Sequence, residues 1–299
     1  MREIVIISGK GGTGKTSLAA SFAILAQNAI LADCDVDAAD LYLILTPEIK
    51  ETHEFWSGHE AIIRQGVCTA CGACLNLCRF NAIKEVQDAT GAPTFHVDPT
   101  SCEGCSVCAR FCPEGAVEFK ERLCGNWMIS KTRAGPMVHA RLGIAAENSG
   151  KLVSTVRQEA RKLAESKGRN MILIDGPPGI GCPVIASITG ASQVVIVTEP
   201  TMSGAHDLAR ILALAKHFAI PAFVCINKWD ICPALAAQIE EQAASSAVPV
   251  LGRIRYDSAV TEAQKAAKTV IETDAPCADD IRKAWNNLLQ HQIEEELSA

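Results

Sequence analysis

Eight of the fourteen cysteines in the 299-residue sequence occur in two runs with the same 2-2-3 spacing. The runs consist of Cys68, Cys71, Cys74 and Cys78, and of Cys102, Cys105, Cys108 and Cys112. Thiolates this close in sequence can surround one metal centre, and zinc and iron-sulfur groups are both held in this way. Paired C-x2-C motifs fit zinc, but two identical four-cysteine runs are more specific and predict iron-sulfur ligands.

The doubled run resembles the bacterial two-cluster ferredoxins, in which the fourth cysteine of each run crosses to the other cluster. The resemblance implies one 4Fe-4S cluster on Cys68, Cys71, Cys74 and Cys112, and a second on Cys102, Cys105, Cys108 and Cys78. Arg79 stands where the first run would usually have proline, a departure that removes no ligand. Because the segment is too short for a large apolar core, we expect it to lose its structure when the metal is removed.

A second group of residues could bind phosphate. Gly9, Lys10, Gly11, Gly12, Thr13, Gly14, Lys15 and Thr16 match the pattern G-x-x-x-x-G-K-[ST], and Ser17 follows them. Glycines let backbone N–H groups face a phosphate, Lys15 supplies a positive charge, and the Thr16 hydroxyl can ligate magnesium. The pattern follows an apolar strand-like run and precedes a helical one, which is the context that such a loop requires.

The additional lysine, Lys10, makes the loop resemble that of the deviant Walker A ATPases, the superfamily of MinD, ParA, Mrp and the nitrogenase iron protein. The resemblance implies that Lys10 reaches the nucleotide of a partner across a dimer. The active form is then a nucleotide-dependent homodimer, or a heterodimer with a close paralogue, and Lys10 and Lys15 are catalytic residues.

Aspartates at two further strand ends support this resemblance. Asp33 and Asp35 follow the second apolar run and resemble switch I, where Asp35 would orient the attacking water and Asp33 would lie near the magnesium. Asp175 ends a later run and resembles switch II, beside the magnesium shell. Carboxylates suit both tasks, since magnesium prefers hard oxygen ligands and an acceptor polarises water.

The segment Asn227-Lys228-Trp229-Asp230 resembles a base-recognition segment. Taken literally, N-K-x-D is the guanine-reading signature of GTPases, in which the aspartate accepts from the base. The deviant ATPases carry similar sequences and use adenine nucleotides, so ATP and ADP are favoured over GTP. Asn227, Lys228 and Asp230 are therefore predicted to contact the base.

The elements that must position these residues alternate along the chain. Apolar runs of strand length occur at 3–7, 29–33, 171–175, 193–198 and 222–227, with helical stretches at 151–168, 203–218 and 234–244. Strands that are apolar throughout and alternate with helices predict a doubly wound, mostly parallel sheet of the P-loop α/β class. The cysteine segment interrupts this rhythm, which predicts an ATPase domain at 1–62 and 122–299 with a ferredoxin-like α+β insert at 63–121. Residues 122–150 show no clear periodicity, and we assign no element there.

Composition and charge restrict the class of protein. A formal net charge of −6 argues against nucleic acid as a default partner. The N-terminus runs from apolar residues into glycines without a cleavage site, and no run of about 18 apolar residues occurs. We expect a cytoplasmic protein without a membrane anchor, in which the six remaining cysteines are reduced and serve as small apolar residues.

The functional hypotheses fall into three classes. The first is an ATPase that couples its nucleotide state to electron transfer or to docking of a redox partner. The second is an assembly or carrier factor for metal clusters, although no further C-x-x-C pair exists outside the two runs. The third is a positioning ATPase like MinD, against which the acidic last turns at 294–296 argue, because anionic lipid repels them. The electron donor, the acceptor and any client protein are not identified by the sequence.

Overall fold

The structure is a computed structural model that describes residues 1–143 and 149–298, with the side chains described as far as His291. Contacts between Cα atoms divide the chain into two compact units. The larger unit comprises Met1–His53, Trp127–Arg141 and Ser149–Ala299, and the smaller unit comprises Glu54–Asn126 and Leu142–Asn148. The predicted insert at 63–121 lies inside the smaller unit, which begins at Glu54 and also takes in residues beyond 121.

The strands of the described residues follow one another in chain order. They are β1 (Arg2–Ser8), β2 (Ile30–Asp33), β3 (Glu48–Ile63), β4 (Ile83–Gln87), β5 (Pro93–Val97), β6 (Val117–Thr132), β7 (Gly135–Leu142), β8 (Met171–Pro178), β9 (Gln193–Thr198), β10 (Ala222–Asn227) and β11 (Val250–Ile254). Nine of them form one sheet in the order β11-β10-β9-β1-β8-β2-β7-β6-β3.

The helices of the described residues separate most of these strands. They are α1 (Lys15–Ala26), α2 (Leu41–Leu45), α3 (Ala73–Leu77), α4 (Val107–Arg110), α5 (Ser149–Ser166), α6 (Cys182–Ile188), α7 (Met202–His217), α8 (Pro233–Ser245), α9 (Ala259–Lys265) and α10 (Pro276–Ser298), with short 3-10 turns at Trp229–Ile231 and Val270–Glu272. Within the described residues, none of these helices combines the length and the apolar character needed to cross a membrane.

The sheet is parallel where the predicted strands meet. β1 is paired in parallel with β8 and β9, β10 with β9 and β11, and β2 with β7 and β8. All five apolar runs form strands, and the three helical stretches form helices, so the prediction of an α/β class with a mostly parallel sheet is confirmed. Because parallel strands end at one edge, this topology gathers the residues that follow β1, β2 and β8.

The structure forms elements at 122–150, where the sequence allowed no assignment. β6 and β7 occupy most of it and are joined by only two residues, Arg133 and Ala134, which requires an antiparallel hairpin. β3 was also missed, because its residues are mostly exposed and nine of the sixteen are charged or polar, so that they form no apolar run. Residues 144–148 lie outside the described part of the chain, as do the side chains of the acidic last turns.

The smaller unit has little apolar core of its own. β4 and β5 form an antiparallel pair, and α3 and α4 are short helices within the two cysteine runs. Its hydrophobic cluster of buried residues consists of Ala61, Ile63, Cys74, Ile83, Phe95 and Val117, with five further cysteines packed against them. The cysteines therefore make up much of the interior of this unit.

Candidate functional site

The glycine loop connects the end of β1 to the start of α1. Gly14, directly before α1, has a φ of 88°, a left-handed conformation that glycine adopts without strain. A Cβ atom at Gly14 would lie 2.3 Å from Asn227 Nδ2. That nitrogen donates to the Thr13 carbonyl oxygen at 2.7 Å, so the end of β10 holds the loop. The loop thus places backbone N–H groups at a helix N-terminus, where phosphate binds.

Lys15 is buried beneath the loop and forms ion pairs with two carboxylates. Its Nζ lies 2.6 Å from Asp175 Oδ1 and 3.3 Å from Asp35 Oδ2. Burial alone would lower the pKa of Lys15, but the charges of Asp175 and Asp35 outweigh it, and the pKa is raised. Burial raises the pKa of Asp35 despite the neighbouring ammonium. The loop lysine and both predicted switch segments therefore meet at one point.

Three buried oxygens in this region have no hydrogen-bond partner among the described residues: Asp33 Oδ2, Asp175 Oδ2 and Thr13 Oγ1. Asp33 and Asp175 are in register on neighbouring strands. Burial, followed by the charge of Asp175, raises the pKa of Asp33 well above its usual value. Buried carboxylate oxygens without partners are costly unless a cation or a donor serves them. With the Thr16 hydroxyl 3.3 Å from Lys15 Nζ, this donor set fits magnesium.

Lys10 makes its contacts within its own chain. Its Nζ lies 2.6 Å from Glu199 Oε1 and 3.0 Å from Ser203 Oγ. Glu199 also accepts from Lys228 Nζ at 3.2 Å. Burial opposes ionisation of Glu199, but the hydrogen bonds from the two lysines outweigh it and hold the pKa of this carboxyl below its usual value. Glu199, at the end of β9, is thus the shared partner of both lysines.

The residues at the end of β10 and just after it form hydrogen bonds to the glycine loop and to the turn that follows β11. Asn227 accepts from Lys228 N at 3.0 Å in addition to its bond to Thr13. Lys228 Nζ donates to the Gly12 carbonyl oxygen at 2.9 Å. Asp230 Oδ1 accepts from Tyr256 N at 2.7 Å. This carboxylate oxygen therefore positions the backbone of a neighbouring turn.

A cleft of about 710 Å³ opens beside the glycine loop, a size suited to a nucleotide. The predicted site residues that line it are Gly11, Gly12, Thr13, Gly14, Lys15, Thr16, Ser17, Asp35, Asn227 and Lys228. Gly9, Lys10, Asp33, Asp175 and Asp230 lie outside the lining. Asp33 and Asp175 lie behind it, because they contact Asp35 and Lys15. The lining also includes Leu43, Ile44, Tyr256, Gln264 and Ile281, which sequence reasoning missed.

The eight cysteines of the two runs line two separate cavities of the smaller unit. One cavity is lined by Cys68, Cys71, Cys74 and Cys112. The other is lined by Cys102, Cys105, Cys108 and Cys78. Each cavity therefore receives three thiols of one run and the fourth thiol of the other. Burial raises the pKa of Cys74 and of Cys108, and neighbouring thiolates of their own cavities add to it.

The two crossing cysteines have equivalent backbone partners. Ala82 N donates to Cys78 Sγ and Ala116 N donates to Cys112 Sγ, both at 3.3 Å. Such N–H groups stabilise thiolates and the sulfur of inorganic clusters. Gly104, between two ligand positions, has a φ of 59°, and a Cβ there would lie 2.3 Å from the His59 carbonyl oxygen. Among the described residues, no three His, Cys, Asp or Glu side chains converge closely enough for a single metal ion.

A model of the CobQ/CobB/MinD/ParA nucleotide binding domain matches residues 4–270 of the chain. The chain belongs to this family. The MinD/ParA-type nucleotide-binding domain thus spans both sides of the cysteine segment, and the glycine loop with its cleft lies within it.

Solved structures of the family share the fold. The septum site-determining protein MinD of Pyrococcus horikoshii, complexed with Mg-ADP, is similar over 96% of this chain and 95% of its own, with a TM-score of 0.58 and 16% identity. The cell division ATPase MinD of Pyrococcus furiosus is similar over 97% of this chain and 98% of its own, with a TM-score of 0.55 and 18% identity. These likenesses establish a MinD-like α/β fold.

Two curated relatives differ in the part of the chain that they match. An uncharacterized protein of Methanocaldococcus jannaschii is 32% identical over 229 residues, which are 76% of this chain and 78% of the relative. The ferredoxin-type protein NapF of Escherichia coli is 37% identical over 77 residues, which are 26% of this chain and 44% of NapF. The chain is therefore similar to a ferredoxin-type protein over a short part of its length.

Two features of this MinD/ParA-type site were missed in the sequence. Glu199 follows the strand β9 directly, so the rule that drew attention to Asp33 and Asp175 would also have found it. The second feature is His139 on β7, which lies in register with Asp33 and has its Nε2 2.8 Å from Ser130 Oγ. Burial, together with Arg141, lowers the pKa of His139 to about 4. No sequence signal pointed to it, because β6 and β7 were not predicted.

Proposed function

We propose that the protein is an ATPase that carries two 4Fe-4S clusters and couples its nucleotide state to electron transfer or to docking of a redox partner. The observation that carries the proposal is the crossed distribution of thiols, three from one run and one from the other, around each cavity. A cubane presents four corners to four thiolates and therefore suits thiols that surround a cavity. The local similarity to a ferredoxin-type protein supports the same conclusion.

The residues of the cleft have distinct tasks in ATP hydrolysis. The glycine loop binds the phosphates through its N–H groups, and Lys15 exchanges a carboxylate partner for phosphate oxygens. Thr16, Asp33 and Asp175 would hold magnesium, which would supply positive charge to the phosphates. Asp35 orients the water that attacks the γ-phosphorus and accepts its proton as the bond to ADP breaks. The raised pKa of Asp35 makes this carboxylate a better proton acceptor.

The cysteines would hold the clusters in the two crossed sets, and the clusters would supply one-electron transfer. The backbone donors at Cys78 and Cys112 would stabilise the thiolates that hold each cluster. Nucleotide-dependent dimerisation, in which Lys10 leaves Glu199 for the partner's nucleotide, is the step that we propose links hydrolysis to the redox unit. The partner is a second copy or a close paralogue.

One preparation tests the proposal. The full chain is purified anaerobically, and iron, acid-labile sulfide, zinc and ATP turnover are measured, followed by the cluster potentials with and without ATP. We expect iron and sulfide in equal amounts, slow turnover, and a potential that changes on adding ATP. Asp35→Ala should abolish turnover while nucleotide binding persists.

Three results would contradict the proposal in different ways. Zinc in place of iron would contradict the redox role. Cluster potentials and partner binding that do not change when nucleotide is added would contradict the coupling. Transfer of intact clusters to an apo-protein would instead identify the chain as a carrier. Lys15→Ala is the control that should bind no nucleotide, because it removes the positive charge of the glycine loop on which phosphate binding depends.

A further inference from the structure

A row of buried polar side chains extends from the glycine loop across the sheet of the larger unit. Asp175 on β8, Asp33 on β2 and His139 on β7 are in register on three neighbouring strands. Residues in register on parallel strands point to the same face of a sheet, about 4.8 Å apart. All three are buried, with exposed fractions of 2%, 1% and 6%. The row continues to Ser130 on β6, which contacts His139.

Of the two aspartates in this row, Asp33 has the weaker support, because Asp175 Oδ1 pairs with Lys15 at 2.6 Å. Asp33 Oδ1 accepts from Asp35 N at 3.2 Å, whereas its Oδ2 is buried and has no partner. In the structure Lys15, which pairs with the neighbouring Asp175, supplies the positive charge near Asp33 and so helps to support this carboxylate. When Lys15 turns to a phosphate, that help is reduced, and a donor to Oδ2 becomes more valuable.

His139 has the chemistry of that donor. A neutral imidazole carries one N–H and one acceptor nitrogen. Ser130 Oγ lies 2.8 Å from Nε2, so a hydroxyl proton donated there places the imidazole proton on Nδ1. The side chain next to the imidazole on β2 is Asp33.

We propose that His139 is a positioning residue for Asp33, which presents Nδ1–H to the unpartnered Oδ2 while Ser130 holds Nε2. The contact orients Asp33 toward magnesium that arrives with the nucleotide. His139 itself touches neither magnesium nor nucleotide. The inference rests on the proposed function in one respect, namely that Asp33 serves magnesium in the nucleotide-bound form.

Two substitutions at one position separate this role from a merely structural one. The amide nitrogen of asparagine occupies about the place of Nδ1, and that of glutamine about the place of Nε2. The full chain is prepared as wild type, His139→Ala, His139→Asn and His139→Gln. Binding of a fluorescent ADP analogue is titrated with magnesium, from chelator alone upward, and the melting temperature and ATP turnover are recorded for each variant.

The expected result is a change in the magnesium dependence. His139→Ala and His139→Gln raise the magnesium concentration for half-maximal effect about tenfold, because outer-shell partners of metal sites contribute factors of about 10 to 100. Affinity for ADP in chelator stays within about twofold, since Asp33 serves the cation and not the phosphates. In His139→Asn the magnesium concentration for half-maximal effect returns to the wild-type value. In Ser130→Ala this concentration rises by a smaller factor than in His139→Ala. Turnover falls through kcat more than through KM.

A buried serine elsewhere supplies the matched control. Ser187 is as inaccessible as Ser130 and donates to the Val184 carbonyl oxygen within α6, so Ser187→Ala should leave the magnesium dependence unchanged.

Each remaining outcome has a definite meaning. Equal behaviour of His139→Asn and His139→Gln, or a magnesium dependence unchanged in His139→Ala, overturns the inference alone. A wild type that binds no ADP overturns the proposed function and the inference together. If His139→Ala fails to fold, the comparison of the asparagine and glutamine variants still decides.

Discussion

Lys10 and Glu199 form an ion pair within one chain, with 2.6 Å between Lys10 Nζ and Glu199 Oε1. Glu199 is mostly buried, and it also pairs with Lys228, which in turn holds the Gly12 carbonyl oxygen. The lysine that the resemblance assigns to a partner's nucleotide is therefore held by its own subunit. Any role of Lys10 in a dimer requires this pair to break.

Glu199→Gln should strengthen self-association in the presence of ATP and magnesium. The substitution removes the charge that holds Lys10, and a partly exposed ion pair of this kind contributes a factor of about two to five. Light scattering across a range of protein concentrations measures the effect. Glu240→Gln is the control, since Glu240 forms a similar surface pair with Arg253 on the same unit. Weaker association of Glu199→Gln would mean that Glu199 supports the dimer directly.

Gly14→Ala should abolish nucleotide binding. The new Cβ would meet Asn227 Nδ2 at 2.3 Å, and the φ of 88° is unfavourable for alanine. The bond that holds Thr13 would break, and the loop N–H groups would turn away from the phosphates. Titration with a fluorescent ADP analogue measures the loss. Gly181→Ala is the control, because its Cβ would have only an ordinary contact at 3.7 Å. Retained affinity in Gly14→Ala would show that the loop rearranges on binding.

Double substitutions should reveal the crossed ligand sets. Cys112→Ser lowers iron from about eight to about four atoms per chain, because each cubane has four irons. Adding Cys68→Ser removes little more, since both cysteines line one cavity. Adding Cys78→Ser to Cys112→Ser instead removes nearly all iron, because Cys78 lines the other cavity. Iron and sulfide analysis measures both. The exposed Cys182 provides the control Cys182→Ser. If Cys68→Ser with Cys112→Ser also lost all iron, the sets would not be crossed.

Glu272→Gln should lower the free energy of unfolding at neutral pH and make that free energy less dependent on pH. Hydrogen bonds from Arg133 are the main reason that the pKa of Glu272 is lowered to about 2. A carboxyl with a depressed pKa stabilises the fold at pH values above its pKa in the unfolded chain, which is about 4.3. This stabilisation is lost as the pH falls toward about 2. After discounting for partial exposure, we expect a loss of about 1 kcal/mol.

Thermal unfolding of the wild type and Glu272→Gln between pH 3 and 7 tests this prediction. The two melting temperatures should differ at pH 7 and approach each other as the solution becomes acidic. Glu262→Gln is the control, since Glu262 forms an exposed pair with Lys265 within α9. A constant difference across the pH range would contradict the assignment of the stabilisation to the ionised Glu272.

The buried parallel strands could be predicted because each is apolar throughout, which requires cover on both faces. The mostly exposed strand β3 and the hairpin of β6 and β7 could not. Half of β3 is charged or polar, and its edge position in the sheet depends on pairing with β6, far away in sequence. Pairing between distant segments leaves no periodic signal when one face is exposed.

The sequence alone identified the residues that could carry chemistry, because a glycine loop with two lysines and two cysteine runs of equal spacing are local patterns. It also indicated that aspartates after parallel strands would meet. Only the tertiary structure decided that Lys10 is paired with Glu199, that Asp230 supports the backbone of Tyr256, and that His139 lies beside Asp33. These contacts join residues far apart in the chain, and strand order and register, rather than spacing, bring them together.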